Sequence, residues 1–269
     1  MNKIYFFATV VCVALLSACQ HSAPNNNPNH IIVGTTTGPE QALAEAAKYE
    51  AKHKFNLNVE LVSFNDYEQL NEALNNGDID VNAFQHVPYL KAQEKEHGYK
   101  LAIVGNTFVY PIVAYSKKIK TVDELSFGDT IVIPNDPANG GRALLLLQQN
   151  DLISLRDGVG FEPKKTDIIE NTKDLQIMQI DAAKLPSMLD SSFVALAITN
   201  GNYATQAGLD PKKLGVFKED AESPYVNVIA SRTDNQYQEK VKNFVEAYQS
   251  DTVYAVAEKI FNGEAVKGW

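Results

Sequence analysis

Short aliphatic runs alternate with amphipathic segments along almost the whole chain, and this alternation constrains the fold more than any other feature. Strand-like runs rich in β-branched residues fall at residues 31–34, 59–62, 102–104, 131–133, 194–198 and 226–230. Between these runs, residues 40–54 and 67–75 have the pattern of helices. Repeated alternation of this kind predicts an α/β fold whose sheets are largely parallel and covered by helices.

The C-terminal part of the chain carries the clearest helical period. Apolar residues recur at i, i+3, i+4 and i+7 in two successive sets: Val241, Phe244, Val245 and Tyr248, then Val253, Val256, Ala257 and Ile260. This spacing places each set on one face of a helix. Two amphipathic helices are therefore predicted to close the chain.

An apolar run at residues 107–115 is interrupted by Pro111, which a central sheet strand does not tolerate. We interpret this run as a strand that crosses between two lobes, with a second crossing near residues 226–232. Lobe 1 would then comprise residues 31–110 and 230–269, and lobe 2 residues 111–229. The sequence thus predicts a two-lobed clamp.

The N-terminus has the pattern of a bacterial lipoprotein signal. Lys3 is followed by thirteen residues of which only Thr9 is polar, an apolar run too short to span a bilayer. The run ends in Leu-Ser-Ala-Cys, which predicts a signal peptide over residues 1–18 and lipidation of Cys19. Residues 19–30, rich in Asn and Pro, are predicted to form a flexible tether. A plain secretory signal with an incidental cysteine is the alternative.

Composition narrows the classes of partner and cofactor. The chain has 24 basic and 33 acidic side chains, so it offers no general attraction to nucleic acid. Its five histidines include no H-x-x-x-H pair. Asp78 and Asp80 lack the ligand spacing of a calcium loop and are interpreted as solvated turn carboxylates, so no metal site is predicted. Motifs for hydrolases, phosphate loops and dinucleotides are missing from the sequence, and neither an enzymatic activity nor a cofactor is expected.

The sequence PNDPANGGR, between a predicted buried strand and an apolar helix, is a candidate ligand site. Asn139 is a plausible N-cap. Arg142 would then lie in the first helical turn, where the macrodipole disfavours a cation by about 0.3–1 kcal/mol unless an anion also binds. Backbone N–H groups and a guanidinium together suit a carboxylate, and the two glycines before Arg142 permit close backbone approach. The alternative is an Arg142 that is solvated or paired with a nearby acid such as Asp136.

Aromatic residues gather at two places in the sequence. Phe84, His86 and Tyr89 lie close together, and Phe108 and Tyr110 lie in the predicted crossing strand. Rings with apolar bodies and polar tips suit the wall of a small-molecule pocket, particularly one that receives a thioether. Taken singly, a residue of this kind is more often part of the hydrophobic core than of a pocket wall.

Six ordered motifs resemble those of one family: FQHVPY (84–89), GNTFVYP (105–111), PNDP (134–137), GRALLLLQ (141–148), ESPYVN (222–227) and VKGW (266–269). Together with the lipidation signal they resemble the methionine-binding lipoproteins of ABC importers, the NlpA lipoprotein family. The resemblance implies a type-2 periplasmic-binding-protein fold, with two α/β lobes joined by two crossing strands. It also implies closure of the lobes on L-methionine, and in some members on D-methionine or a methionine-containing peptide.

The resemblance assigns roles to particular residues. Arg142 would bind the ligand carboxylate, with Asn139 nearby, and the side-chain oxygens of Asn200 and Asn227 would accept hydrogen bonds from the ammonium group. The ligand side chain would be enclosed by the aromatic set Phe84, His86, Tyr89, Phe108 and Tyr110.

The resemblance also implies partners and a location. A monomer tethered by its lipid to a membrane of the cell envelope would deliver methionine to a permease with a cytoplasmic ATPase. An importer subunit must reach its permease, which favours the inner membrane, although Gln20 stands where an aspartate would signal retention there. Two alternatives remain at this point: a surface lipoprotein acting as antigen or adhesin, and an enzyme on the same fold that uses His86.

Overall fold

The computed structural model describes residues 27–220 and 224–269. The predicted signal peptide, Cys19 and most of the predicted tether lie outside the described residues, as do the first two residues of the motif ESPYVN. The first strand begins at His30, so the predicted tether ends there. Among the helices of the described ranges, none combines the length and the apolar character needed to cross a membrane.

Strands and helices alternate through most of the described chain. The strands are β1 His30–Thr36, β2 Asn58–Phe64, β3 Val81–His86, β4 Leu101–Val109, β5 Val113–Tyr115, β6 Thr130–Pro134, β7 Ser154–Leu155, β8 Ile168–Glu170, β9 Gln176–Ile180, β10 Val194–Thr199, β11 Gly215–Lys218, β12 Val226–Arg232 and β13 Val266–Lys267. The helices are α1 Pro39–Phe55, α2 Glu68–Asn76, α3 Val87–His97, α4 Pro137–Gln149, α5 Leu185–Met188, α6 Gly201–Gln206, α7 Pro211–Leu214, α8 Glu239–Tyr248 and α9 Asp251–Ile260.

Two larger sheets define the two lobes. The first has the strand order β13-β4-β12-β3-β1-β2, and the second has the order β11-β5-β10-β6-β9. Strand β1 runs parallel to β2 and β3, and β6 runs parallel to β9 and β10. The predicted α/β architecture is thus confirmed, but the expectation of largely parallel sheets is wrong. Both sheets are mixed, because β12 is antiparallel to its neighbours in the first sheet and β5 to its neighbours in the second.

The chain passes between the lobes at two adjacent places. Strand β4 ends at Val109 and β5 begins at Val113, so the predicted crossing strand is broken around Pro111, which has no N–H to donate. On the return, Glu219 N donates to Ile112 O (3.0 Å), which holds the two crossings together. Strand β12 pairs with the first sheet from Val226 onwards. Residues 226–229, assigned to lobe 2 by sequence, therefore lie with the first sheet.

Each lobe has its own apolar core. In the first, β1 and β3 pack against α1 and the two C-terminal helices, whose predicted inward faces are buried at Val241, Phe244 and Val253. In the second, the apolar face of α4 packs on β6 and β10. Full burial of a large aliphatic or aromatic side chain contributes about 1.5–3 kcal/mol, so these faces fix the helices on their sheets.

One ion pair is buried inside the first lobe. Asp80, in the turn before β3, forms an ion pair with Lys240 of α8 at 3.0 Å, and both side chains are buried. Asp80 also accepts a hydrogen bond from Ile32 N (2.9 Å). The expectation that Asp78 and Asp80 are both solvated turn residues holds only for Asp78.

Three buried amides form a second polar cluster, here called the amide triad: Asn71 of α2 and Asn82 and Gln85 of β3. Asn71 and Gln85 exchange hydrogen bonds of 2.8 and 2.7 Å, and Asn82 donates to Asn71 Oδ1 (2.9 Å). The amide triad therefore joins α2 to β3, the strand that carries Phe84 and His86.

Candidate ligand-binding site

A cavity with about 340 Å³ of empty space, part of which is open to solvent, lies between the two lobes. It is lined by Glu40, Tyr67, Phe84, Gln85, His86, Tyr89, Tyr110, Asn139, Arg142, Asn200, Gly201, Asn202 and Asn227. This set contains every site residue named from the sequence except Phe108.

Phe108 belongs to the core of the first lobe. Its ring is fully buried and contacts Tyr254 and Trp269, with ring centroids 6.4 and 5.0 Å apart. The prediction that Phe108 lines the pocket is wrong because it lies inside β4, whereas Tyr110 follows the end of that strand. Tyr110 enters the cavity wall while its ring stacks on Phe261 at 4.3 Å.

Helix α4 begins one turn earlier than the sequence suggested. Asp136 is its N-cap and accepts a hydrogen bond from Asn139 N (2.8 Å), with Pro137 as the first helical residue. Aspartate followed by proline is a strong start signal, since proline has no N–H to satisfy. Asn139 is therefore not the N-cap, and Arg142 lies in the second turn. The helix terminus is capped by this internal carboxylate, and burial raises the pKa of Asp136.

The two glycines before Arg142 make room for the protein's own backbone. A Cβ atom on Gly140 would lie 2.8 Å from Pro134 O, and one on Gly141 would lie 2.8 Å from Phe161 O. Their small size thus allows α4 to pack closely on its surroundings. It does not indicate close approach to a ligand, as the sequence had suggested.

Arg142 is buried and already has an acidic partner. Its Nε donates to Glu219 Oε1 (3.1 Å), its Nη2 donates to Glu219 Oε2 and to Tyr110 O (3.0 Å), and the guanidinium carbon lies 4.2 Å from the centre of the Tyr225 ring. An acidic partner was one of the alternatives considered from sequence, but the partner is Glu219 and not Asp136. Within the described residues, Nη1 is the guanidinium nitrogen that makes no hydrogen bond.

His86 connects the two lobes in its neutral form. Its Nδ1 accepts from Tyr89 N (3.1 Å), so Nε2 carries the proton and donates to Asn139 Oδ1 (3.0 Å) in the second lobe. Burial, together with the charge of Arg142, lowers the pKa of His86 to about 3. The ring is thus a neutral hydrogen-bond donor, which leaves no proton acceptor for the enzymatic role considered for it.

Two asparagine side chains are oriented by hydrogen bonds from their amide nitrogens. Asn200 Nδ2 donates to Asn139 Oδ1 (2.7 Å), and Asn227 Nδ2 donates to Phe84 O (3.0 Å). Each bond leaves the side-chain oxygen as an acceptor, and Asn200 Oδ1 is buried without a partner. Asn139 differs, since its oxygen accepts from His86 and Asn200 and its nitrogen donates to Asp136 (3.0 and 3.1 Å).

The apolar wall contains one aromatic residue that sequence analysis missed. The ring centroid of Tyr67 lies 5.4 Å from that of Phe84 and 5.6 Å from that of Tyr89. Its hydroxyl donates to Asn202 Oδ1 (2.6 Å) across the lobes. The sequence placed Tyr67 at the start of a helix, which is correct, but nothing local indicated that this helix start faces the second lobe. Glu40 and Asn202 were missed for the same reason.

Two lobes, two adjacent crossings and a polar and aromatic cavity between the lobes define a two-lobed substrate-binding protein. In the described residues, no cluster of histidine, cysteine, aspartate and glutamate could hold a metal ion. The profile of the NlpA lipoprotein family matches residues 31–269. The chain belongs to this family, as its motifs predicted.

Relatives and solved structures agree with this assignment. The chain is 55% identical over 264 residues to the D-methionine-binding lipoprotein MetQ of Escherichia coli K12, covering 98% of this chain and 97% of the relative. The MetQ of Yersinia pestis is 59% identical over 242 residues, covering 90% and 89%.

Two solved structures share the fold over nearly their whole length. A crystal structure of the methionine-binding protein MetQ superposes with a TM-score of 0.89 at 59% identity, covering 90% of this chain and 99% of that one. A nutrient-binding protein from Burkholderia cenocepacia, bound to methionine, superposes with a TM-score of 0.86 at 44% identity, covering 89% and 100%.

Proposed function

We propose that this protein is the substrate-binding lipoprotein of an ABC importer and that it captures methionine between its lobes. The observation that carries the proposal is one cavity between the lobes that combines a guanidinium, two amide oxygens oriented as acceptors and an aromatic wall. Relatives named for methionine binding, and a similar structure bound to methionine, support the same ligand class.

The polar groups of the cavity suit an amino acid zwitterion. Arg142 Nη1 would bind the carboxylate, although the guanidinium is already paired with Glu219. Asn200 Oδ1 and Asn227 Oδ1 would accept hydrogen bonds from the ammonium group. Asn139 would act indirectly, because its bonds to His86 and Asn200 satisfy its side chain and hold both neighbours in place.

The aromatic groups suit an apolar, polarisable side chain. Phe84, Tyr89, Tyr67 and the ring of Tyr110 would surround the thioether, which makes favourable contacts with ring edges. Phe108 would support this wall from the core behind it, since its ring centroid lies 6.1 Å from that of Tyr110.

Contacts across the cleft support a mechanism of capture by closure. Tyr67 OH bonds Asn202 Oδ1 (2.6 Å), His86 Nε2 bonds Asn139 Oδ1 (3.0 Å) and Tyr203 OH bonds Asn65 O (3.4 Å). Each bond joins the first lobe to the second. A ligand that contacts both lobes would favour this closed arrangement, because it binds the closed state more tightly than the open one.

The delivery role follows from the predicted anchor. A lipidated Cys19 and the tether of residues 19–30 would keep a monomer at the inner membrane, close to a permease and its cytoplasmic ATPase. The protein would perform no chemistry on the ligand and would need no cofactor.

Ligand release and rebinding test the proposal directly. The full-length protein, purified in detergent, is unfolded to free any retained ligand, which is identified by mass spectrometry. After refolding, L-methionine, D-methionine, leucine and a Met-containing dipeptide are titrated by calorimetry. We expect methionine in the released material and saturable binding of at least one methionine stereoisomer. If no methionine species binds or raises the melting temperature, the proposal is wrong, and binding to host cells would favour a surface role.

A further inference from the structure

The carboxyl group of Asp136 makes hydrogen bonds in one direction only. Its Oδ1 accepts from Asn139 N (2.8 Å), which caps α4, and its Oδ1 and Oδ2 also accept from Asn139 Nδ2 (3.1 and 3.0 Å). Burial raises the pKa of this carboxyl, whereas these bonds act to lower it. Within the described residues, Asp136 forms no ion pair. An ionised carboxylate can only accept, so the amide nitrogen of Asn139 has to face Asp136 and its oxygen has to face away.

The orientation of Asn139 decides the orientation of Asn200. Asn139 Oδ1, which points away from Asp136, accepts from Asn200 Nδ2 (2.7 Å) and from His86 Nε2 (3.0 Å). His86 supports this direction, because its Nδ1 accepts from Tyr89 N and its proton is therefore on Nε2. The chain of bonds from Asp136 through Asn139 to Asn200 is here called the amide relay. Along the relay, each amide turns its nitrogen back towards Asp136 and its oxygen forward.

The amide relay ends in an oxygen that has no partner in the described part of the chain. Asn200 is 7% exposed and lines the cavity, and its Oδ1 is buried without a hydrogen bond. A buried polar atom without a partner costs about 1–3 kcal/mol. An ammonium group of a ligand would satisfy this oxygen, whereas a reversed Asn200 side chain would meet the ammonium with its own N–H groups. The direction of the relay therefore decides whether Asn200 favours or opposes a cationic ligand group.

The other acidic side chains near the cavity are engaged elsewhere. Glu219 binds the guanidinium of Arg142. Glu40, which is 2% exposed, accepts a hydrogen bond from the Thr36 hydroxyl. Neither acid bonds to a member of the amide relay in the described structure, so Asp136 is the acid that gives the relay its direction.

We propose that Asp136 is a positioning residue for the ligand's ammonium group, because through Asn139 it holds the side-chain oxygen of Asn200 ready to accept from that group. Asp136 is not among the residues that line the cavity, so it acts through the relay and not by contact. The inference rests on the proposed function and deepens it, since it concerns the selectivity of the same site for amino acids over the corresponding carboxylic acids.

Replacing Asp136 by serine separates the relay from the cap of α4. A serine hydroxyl accepts from the backbone N–H of the third helical residue about as well as an aspartate does, so the helix start should be kept. It has no second oxygen to hold Asn139 Nδ2, which leaves Asn139 and Asn200 free to turn. We expect a melting temperature close to that of the wild type without ligand. Methionine affinity should fall by about 3- to 10-fold, the range of one modest hydrogen bond.

Ligand selectivity distinguishes positioning from a general structural role. The probes are L-methionine and its des-amino analogue, which has the same carboxylate and thioether but no ammonium group. Both affinities are measured by calorimetry on the full-length protein in detergent, the weaker one by competition with methionine. In Asp136→Ser the affinity for the analogue should stay near that of the wild type, so the ratio of the two affinities should fall. Asp136→Asn, which keeps one acceptor oxygen but adds an N–H group, should lower the ratio in the same direction.

A double-mutant cycle tests whether Asp136 acts through Asn200. Asn200→Ala should weaken methionine binding, and adding Asp136→Ser should weaken it little further, because the relay then has no end to orient. Asp210→Ser serves as the matched control. Asp210 also caps a helix of the second lobe, α7, by accepting from Lys212 N (2.9 Å), and it does not belong to the relay. Its replacement should leave methionine affinity unchanged.

Three results would overturn the proposal while the proposed function stands. They are an unchanged methionine affinity in Asp136→Ser, an equal loss of affinity for methionine and its des-amino analogue, and fully additive effects in the double-mutant cycle. An equal loss together with a lower melting temperature would assign Asp136 to the helix cap alone. Failure of the wild type to bind methionine would overturn the proposed function instead.

Discussion

Replacing Arg142 by methionine would remove the cation proposed to bind the ligand carboxylate while keeping much of its apolar volume. The change also removes the bonds to Glu219 and Tyr110 and leaves the Glu219 carboxylate, whose side chain is 10% exposed, without its cation. Breaking a buried pair in this way costs about 3–5 kcal/mol of folding free energy. Loss of a buried charge contact to a ligand costs about 2–5 kcal/mol, or roughly 30- to 5,000-fold in affinity.

Stability and affinity can be separated through Glu219. Glu219→Gln keeps a similar shape and one acceptor oxygen but removes the negative charge, so the guanidinium is no longer neutralised in the ligand-free protein. Two unit charges about 4 Å apart interact by about 4 kcal/mol at an effective dielectric constant near 20. Removing this competing carboxylate should strengthen methionine binding by at least about 1 kcal/mol, or roughly fivefold, after partial offset by rearrangement.

The two variants should therefore change affinity in opposite directions while both lower the melting temperature without ligand. Calorimetry gives the affinities, and thermal unfolding with and without methionine gives the stabilities. Unchanged methionine affinity in Arg142→Met would refute the assignment of Arg142 to the ligand. Equal weakening in Glu219→Gln and Arg142→Met would show that the pair only maintains the structure.

Three further predictions concern stability. Because burial lowers the pKa of His86 to about 3, the protein should lose stability as the pH falls from about 6.5 towards 3, where the unfolded chain takes up a proton first; urea titrations of His86→Gln should show a shallower loss. Lys240→Met removes the cation paired with buried Asp80 and should cost about 3–5 kcal/mol in urea unfolding, with methionine affinity within about twofold of wild type; a large loss of affinity would contradict this separation. Gly141→Ala places a Cβ atom 2.8 Å from Phe161 O and should cost about 1–3 kcal/mol, whereas a neutral or stabilising effect on the melting temperature would show that the loop yields freely.

The positions of most strands and helices followed from the sequence because the pattern of apolar residues is a local property. The inward faces of α8 and α9 were predicted residue by residue, since helical spacing alone decides which side chains meet the core. The direction of β12 was not predictable in this way. It depends on the chain returning from the second lobe beside β4, which periodicity does not encode.

The site was predictable where a residue type matched a motif and not where its partner came from a distant segment. Arg142 stood out, but Glu219 lies 77 residues away and belongs to the return crossing. Glu40 looked like an ordinary acidic residue in a first helical turn, which is favourable at any exposed helix start. Its burial becomes apparent only when α1 is placed against the second lobe.

The amide triad also governs the shape of the aromatic wall. By joining α2 to β3 it holds Tyr67, which precedes α2, at 5.4 Å from Phe84 on β3. Amide groups do not ionise over the pH range of living cells, so this spacing does not respond to acid or alkali. The separation of these two rings, and with it the width of the aromatic wall at this point, is therefore set by groups that carry no titratable proton.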